Sequence, residues 1–238
     1  MVYLFASSCL YNAAALAIMR TGMRAATRAP PKTRAPAKQD ALTTHFVKSS
    51  ILSAAVTVLS RRGIGATRVE DLLLAAGIAR RTFYRYFASK EDVLASLYEV
   101  STDELVKSIE RAQRDQATPL AGVRQGIDTY LEFHRDIPRA LGELIELSMR
   151  SESQLAPRRR WLREQLVRLL DEAVQAMDGR RLDLYVYHAL VSALEGLSLH
   201  LLEGTTTAAD LERARSVVHA LVDQALGLPT PAPLPQRR

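Results

Sequence analysis

Two short amphipathic stretches that meet at a single glycine constrain this chain more than any other feature. Thr67 precedes Arg68-Val69-Glu70-Asp71, and the Glu70 three residues on completes a capping-box signature for a helix over about residues 68–76. The two acids in its first turn suit the positive end of the helix dipole. Gly77 ends the helix, glycine being the residue type that most readily takes the left-handed conformation that closes a helix and turns the chain, and Ile78 can plug the angle that follows. In Arg80-Arg81-Thr82-Phe83-Tyr84-Arg85-Tyr86-Phe87, Phe83 and Phe87 lie one turn apart and should face inward. Arg80, Arg81, Thr82, Tyr84, Arg85 and Tyr86 then face outward at a helix N-terminus, a geometry suited to a major groove. A hairpin in which the aromatics merely pack would leave the three clustered arginines unexplained.

The preceding stretch supplies a packing helix, since Ile51, Ala55, Val58 and Leu59 repeat at i, i+4, i+7 and i+8 up to an end near Arg62-Gly63. Arg80 and Arg81 can each offer a bidentate pair to guanine O6 and N7, a contact that reads sequence. Thr82, Tyr84, Tyr86 and Lys90 suit phosphates, which fix position without reading sequence.

Thr67-Arg68-Val69-Glu70-Asp71-Leu72, Ala76-Gly77-Ile78, Thr82-Phe83-Tyr84-Arg85-Tyr86-Phe87 and Ser89-Lys90-Glu91 together resemble the DNA-binding domain of the TetR family of bacterial regulators, over about residues 45–105. The resemblance implies that Thr67, Thr82, Tyr84, Tyr86 and Lys90 hold phosphates while Arg80 and Arg81 lie at base edges. Ala79 stands where the family usually has a capping Ser, and Arg81 where Gly is frequent, so base preference does not carry over.

The rest of the chain reads as helix. Gly is scarce, at 11 in 238 residues, and no stretch alternates in the way half-buried strands require. An all-α protein follows, with an N-terminal three-helix helix-turn-helix domain and a larger helical domain over 106–226, its helices expected at about 90–113, 119–135, 137–150, 157–178, 182–203 and 208–226. Pro119, Pro138 and Pro157 sit at helix starts, and Gly179 and Gly204 at ends. The resemblance implies that this domain binds a small-molecule effector and forms a homodimer through its last two helices. Leu190, Ala193, Leu194, Leu197 and Leu201 on the first of them, and Leu211, Val217, Val218, Leu221, Val222 and Leu226 on the second, exceed what one subunit needs to cover. Tyr130, Phe133, His134, Met149, Trp161, Tyr185 and His188 are the candidate effector-pocket residues, or else core. Arg158-Arg159-Arg160 reads as a solvated face or as an attractor of an acidic effector.

Charge agrees with a DNA partner at one end. Residues 1–95 carry 14 Lys and Arg against 5 Asp and Glu, whereas residues 96–238 carry 18 against 21. Residues 1–44 are expected as a disordered basic extension whose Arg24–Asp40 part is a solvated tail or an arm on DNA, and residues 227–238, with four prolines, as a disordered tail. The apolar run from Val2 to Ile18 is shorter than the roughly 20 residues that span a bilayer, and no basic region precedes it. Met19 and Met23 open a basic stretch at which translation is expected to begin, giving a cytoplasmic protein with no membrane partner. A single Cys and five scattered His leave no disulfide framework and no metal-ligand spacing, and no phosphate loop or nucleophile elbow suggests an enzyme or a cofactor. The expected function is a sequence-specific regulator, usually a repressor in the family, released by its effector from a palindromic DNA operator. The alternative is a constitutive DNA-binding architectural protein without an effector.

Overall fold

The structure, a computed structural model, describes residues 36–137, 139–202 and 207–228. Among these are nine helices and no strand: α1 Pro36–Ala66, α2 Val69–Ala76, α3 Arg80–Tyr86, α4 Lys90–Arg114, α5 Pro119–Asp136, α6 Arg139–Ser148, α7 Ala156–Asp178, α8 Leu184–Leu202 and α9 Ala208–Ala225. The all-α expectation holds, and α4 to α9 lie within two residues of the expected ends. One boundary is corrected: α1 begins at Pro36, inside the stretch expected as part of the disordered 1–44 extension. The remainder of that expectation, with the choice of Met1, Met19 or Met23, falls on residues 1–35, outside the described residues, as does the tail from 229 onward.

Helix α1 is interrupted rather than ended at Gly63, where φ is 74° and ψ 168°. Leaving the helical path frees backbone groups, and side chains meet them. The Ile64 amide donates to Glu143 Oε2 at 2.9 Å, the Thr67 hydroxyl donates to the Gly63 carbonyl at 2.7 Å, and Lys90 Nζ donates to the Ile64 carbonyl at 3.0 Å. At the far end of the chain Gly227, with φ 70°, lets the Leu228 amide reach back to the Asp223 carbonyl at 2.8 Å and close α9.

The chain forms two units. The first comprises residues 36–104 and 136–160, and the second residues 105–135 and 161–228. The break at 104/105 falls one residue before the expected boundary at 105/106, and residues 106–226 are divided between the two units, because α6 and the start of α7 belong to the first. The reason is apolar: Leu144 and Leu155 are buried in one cluster with Ile51, Leu59, Leu72, Phe83 and Phe87. Tyr98 adds a buried hydroxyl contact to Ser148 at 3.1 Å.

The second unit has its own core, in which Leu105, Ile109, Ile127, Leu131, Leu166, Leu169, Val191, Leu194, Val218 and Val222 come from five helices. Ion pairs cross between those helices at its edge. Arg124 Nη2 donates to both oxygens of the buried Asp223 at 2.9 Å, Arg215 meets Asp128 at 2.9 Å and Glu132 at 3.0 Å, and Arg163 pairs with the buried Glu195. A carboxylate as buried as that of Asp223 is tolerated only with its cation in place, so removing Arg124 would cost more than an exposed pair is worth. Leu194, Leu201, Leu211, Val218, Val222 and Leu226 are spent inside this core, whereas Val217 and Leu221 stay exposed. The surplus apolar face is therefore narrower than the sequence suggests. On α8 it continues as an exposed stripe of Tyr185, Ala189, Ser192 and Gly196. Among the described residues no helix is long and apolar enough to cross a membrane.

Candidate nucleic-acid interface and cavities

Helix α2 starts from Arg68, whose extended backbone makes it the capping residue, one position later than expected. The acid that reaches back is Asp71, accepting from the Arg68 amide at 2.9 Å and from Arg62 Nη1 at 2.7 Å. Glu70 is left free to turn elsewhere and pairs with Arg80. At the other end Gly77 takes φ 63° and ψ 34°, its amide donating to Leu74 and that of Ile78 to Leu73, a Schellman closure that sets the turn.

Helix α3 then starts from Ala79, which has extended backbone and no side-chain cap. Phe83 is completely buried and Phe87 nearly so, their ring centroids 5.9 Å apart, which fixes the rotation of the helix about its axis. The outer face is the expected one: Arg80, Arg81, Tyr84 and Arg85 are exposed and Thr82 is half-buried. Tyr86 is half-buried and packs against the core. Lys90 starts α4 with one of its three donors on the Ile64 carbonyl and the others uncommitted there. Ser89 caps that helix by accepting from the Asp92 amide at 3.2 Å, and Asp92 in turn accepts from the Ala88 amide at 2.8 Å.

Thr67 is the member of the expected phosphate set that does not reach this surface. It is 2% exposed, and its hydroxyl hydrogen is given to the Gly63 carbonyl. Its position serves the interruption in α1. Arg80 differs in another way, since its guanidinium is exposed but already paired with Glu70 ten residues earlier. No periodicity of the sequence signals that pair.

The seven candidate pocket residues do not converge. Tyr130 and His134 are buried in the second unit and stack at 4.2 Å, with Phe133 edge-on to His134 at 5.5 Å. Burial lowers the His134 pKa to about 4, against a smaller opposing effect of its 2.8 Å contact with the Tyr130 carbonyl, so the ring is neutral at pH 7. Trp161 and His188 are half-buried, Tyr185 is 81% exposed on the surface of α8, and Met149 belongs to the first unit, 44% exposed. Arg158 is spent in the first unit on Asp103 and on the Thr102 hydroxyl at 2.7 Å, which removes it from the expected triple-arginine patch.

What the second unit does hold is a narrow, partly open apolar cavity of about 50 Å³ lined from all five of its helices, including Ile109, Tyr130, Leu166, Leu190 and Val218. Of the seven expected residues it takes only Tyr130, and Gln113 is its one amide. Beside it an open cleft of about 500 Å³ lies at the turn between α4 and α5 and along α7. Sequence reasoning passed over Gln113, although Gly122 and Gly126 give a hint of it. A Cβ on either glycine would come within 3.1 Å of Gln113, so the two helices touch at that residue. Among the described residues no group of three His, Cys, Asp or Glu is placed to hold a metal.

Residues 51–97 match the family model described as "Bacterial regulatory proteins, tetR family". The HTH-type transcriptional regulator RutR of Escherichia coli K12 is 33% identical over 93 residues, which is 39% of this chain and 43% of that protein. The HTH-type transcriptional regulator EthR of Mycolicibacterium smegmatis is 34% identical over 84 residues, 35% of this chain and 39% of that protein. The chain thus spans less than half the length of these curated relatives. Solved structures extend the likeness of fold to both units. A TetR-family transcriptional regulator from Pectobacterium atrosepticum superposes with a TM-score of 0.64 at 20% identity, covering 82% of this chain and 100% of that one. FadR from Bacillus subtilis, solved in complex with stearoyl-CoA, gives 0.61 at 20% identity over 73% of this chain and 96% of that one.

Proposed function

We propose that this chain, whose residues 51–97 match the model of the tetR family of bacterial regulatory proteins, is a one-component transcriptional regulator of that family that binds a palindromic operator as a homodimer and is released by a small-molecule effector. The observation that carries the reading is the outer face of α3, where Arg80, Arg81, Tyr84 and Arg85 are exposed around the buried anchor Phe83. Arg80 and Arg81 read base edges, each good bidentate pair contributing about 1–3 kcal/mol of discrimination. Thr82, Tyr84, Tyr86 and Lys90 hold phosphates, and Thr67 supports them from beneath through the turn at Gly63.

Two-fold symmetry in the protein calls for two half-sites about 34–36 Å apart or a multiple of it. The exposed stripe on α8 and the exposed Val217 and Leu221 on α9 supply the self-complementary face. Release requires an effector that binds one conformation better than the other, since equal affinity shifts nothing. The FadR neighbour, named as a complex with stearoyl-CoA, motivates an effector with a long apolar part. A second reading, a constitutive DNA-binding architectural protein, is favoured by the apolar cavity, whose 50 Å³ is far below the ~300–1,000 Å³ of ordinary ligand pockets.

Selection from a random DNA pool at stated salt, beside the Arg80→Ala, Arg81→Ala double variant, tests the proposal. The expected outcome is a palindromic motif bound by the parent chain and lost or relaxed in the variant. Binding that is sequence-independent and unchanged in the variant would overturn it. Salt is held fixed because phosphate contacts dominate affinity.

A further inference from the structure

Resting on the DNA-binding reading above, we propose that Glu143 on α6 is a positioning residue for the operator: it fixes the chain at Gly63 and Ile64 so that Lys90 presents its ammonium to a backbone phosphate. Helix α6 lies outside the helix-turn-helix in sequence, yet it packs along α1 and is anchored in the same apolar cluster by the buried Leu144. Glu143 stands one residue before that anchor and is half-buried. Its carboxylate forms no ion pair among the described residues and turns instead to main chain. Oε2 accepts from the Ile64 amide at 2.9 Å, and Oε1 lies 3.4 Å from the place a Cβ on Gly63 would take.

Ile64 is thereby gripped on both sides. Its amide is held by the carboxylate, and its carbonyl accepts from Lys90 Nζ at 3.0 Å. The grip is needed because α1 leaves the helical path one residue earlier, with Gly63 at φ 74° and ψ 168°, and main-chain groups off that path must find partners elsewhere. Lys90 depends on the result. A lysine ammonium ends a flexible stem that is costly to order, and the Ile64 carbonyl is the acceptor that gives this one a direction. It takes one donor and leaves the others for a phosphate oxygen. By its charge alone a carboxylate two hydrogen bonds from Lys90 opposes DNA binding, whereas as the anchor of Ile64 it favours binding. The two roles predict opposite signs when the side chain is removed.

The test uses the full chain and the operator recovered by DNA selection, with affinity read by fluorescence anisotropy over a range of salt. Glu143→Ala removes the acceptor, Glu143→Asp withdraws the carboxylate by one methylene and keeps its charge, and Glu143→Gln restores a neutral acceptor at full length. Each is made in the parent chain and beside Lys90→Gln. The expected result is about tenfold weaker operator binding for the Ala and Asp variants, as for loss of one hydrogen bond to a charged group, with the slope of log affinity against log salt reduced by about 1. Glu143→Gln recovers most of the loss, and beside Lys90→Gln the Ala and Asp variants cost less than about twofold more. A merely structural Glu143 would lower Tm and leave the salt slope alone. Unchanged or tighter binding in Glu143→Asp, or in a folded Glu143→Ala, overturns the inference, as does an equal loss in the two backgrounds or a Gln variant as weak as Ala. If Lys90→Gln binds the operator as tightly as the parent, this inference falls, while a motif lost on substituting Arg80 and Arg81 keeps the regulator reading. If selection yields no motif, both fall together.

Discussion

The two units build their functional surfaces in opposite ways. In the first, the candidate DNA face comes from one stretch of about 25 residues, whose orientation is set by two buried aromatics and one left-handed glycine. In the second, the cavity takes walls from five helices spread over more than a hundred residues, each contributing one to three aliphatic side chains. A surface of the first kind is fixed locally and is vulnerable at a few positions. The second kind is fixed by tertiary packing and spreads its dependence over many.

Truncating the local anchor should have the largest effect. Phe83→Ala removes a completely buried ring between α3 and the rest of the first unit, at a cost of about 3–5 kcal/mol of stability. Urea unfolding measures the loss, and operator binding should vanish with it. Leu190→Ala, on the half-buried wall of the cavity, should cost visibly less and leave operator binding intact. Equal losses at the two positions would break the contrast.

A second contrast concerns acid. His134 is buried and neutral, its pKa of about 4 lying below the ordinary 6.5. Between those values the unfolded chain binds a proton that the folded chain refuses, so stability is present above pH 6.5 and is lost as pH falls toward 4. From pH 7 to pH 5 that loss is about 2 kcal/mol. His134→Leu should flatten the unfolding free energy over this range by about that amount. A parent chain and a His134→Leu variant with the same pH slope would show that the ring is charged, or exposed, in the fold.

The glycines separate the two modes of construction more finely. Gly77 has open space around its Cα but a φ of +63°, whereas Gly122 is helical and faces the Gln113 carbonyl, 3.1 Å from an added Cβ. Gly77→Ala should cost about 1–2 kcal/mol because of its backbone conformation, and Gly77→Asn should recover part of that. At Gly122 the order should reverse, Asn being worse than Ala, because the obstacle is a neighbouring backbone and grows with side-chain size. Thermal melts of the four variants rank them.

How far each surface could be read from sequence follows from the same difference. The turn at Gly77, the inward Phe83 and Phe87 and the outward arginines all depend on spacings within a few residues, which periodicity reports directly. The burial of Thr67 beneath the turn at Gly63 is not legible in this way, because that turn is also held by Glu143 and Lys90, far away in the chain, and spacing carries no such signal. The cavity is less legible still. Residue type favours amphipathic side chains, yet Met149 belongs to the first unit and is exposed, and Tyr185 is exposed too, while leucines and valines line the cavity. Aliphatic residues look the same in sequence whether they fill a core or wall a cavity.

The smallest expected effect lies at the point where local reading and tertiary contact meet on the DNA face itself. Glu70 holds Arg80, and both side chains are about 60% exposed, so the pair adds little to stability. Its consequence is for binding. A carboxylate beside a phosphate-rich duplex is repelled, yet it also restricts the directions its guanidinium can point. Glu70→Gln removes the repulsion and the restriction together. Affinity for random duplex should rise a few-fold, while the ratio of operator to random binding falls at the base read by Arg80. Melting temperature should hardly move. Affinity and ratio rising together would mean that Glu70 only opposes Arg80, and that the guanidinium finds its base unaided.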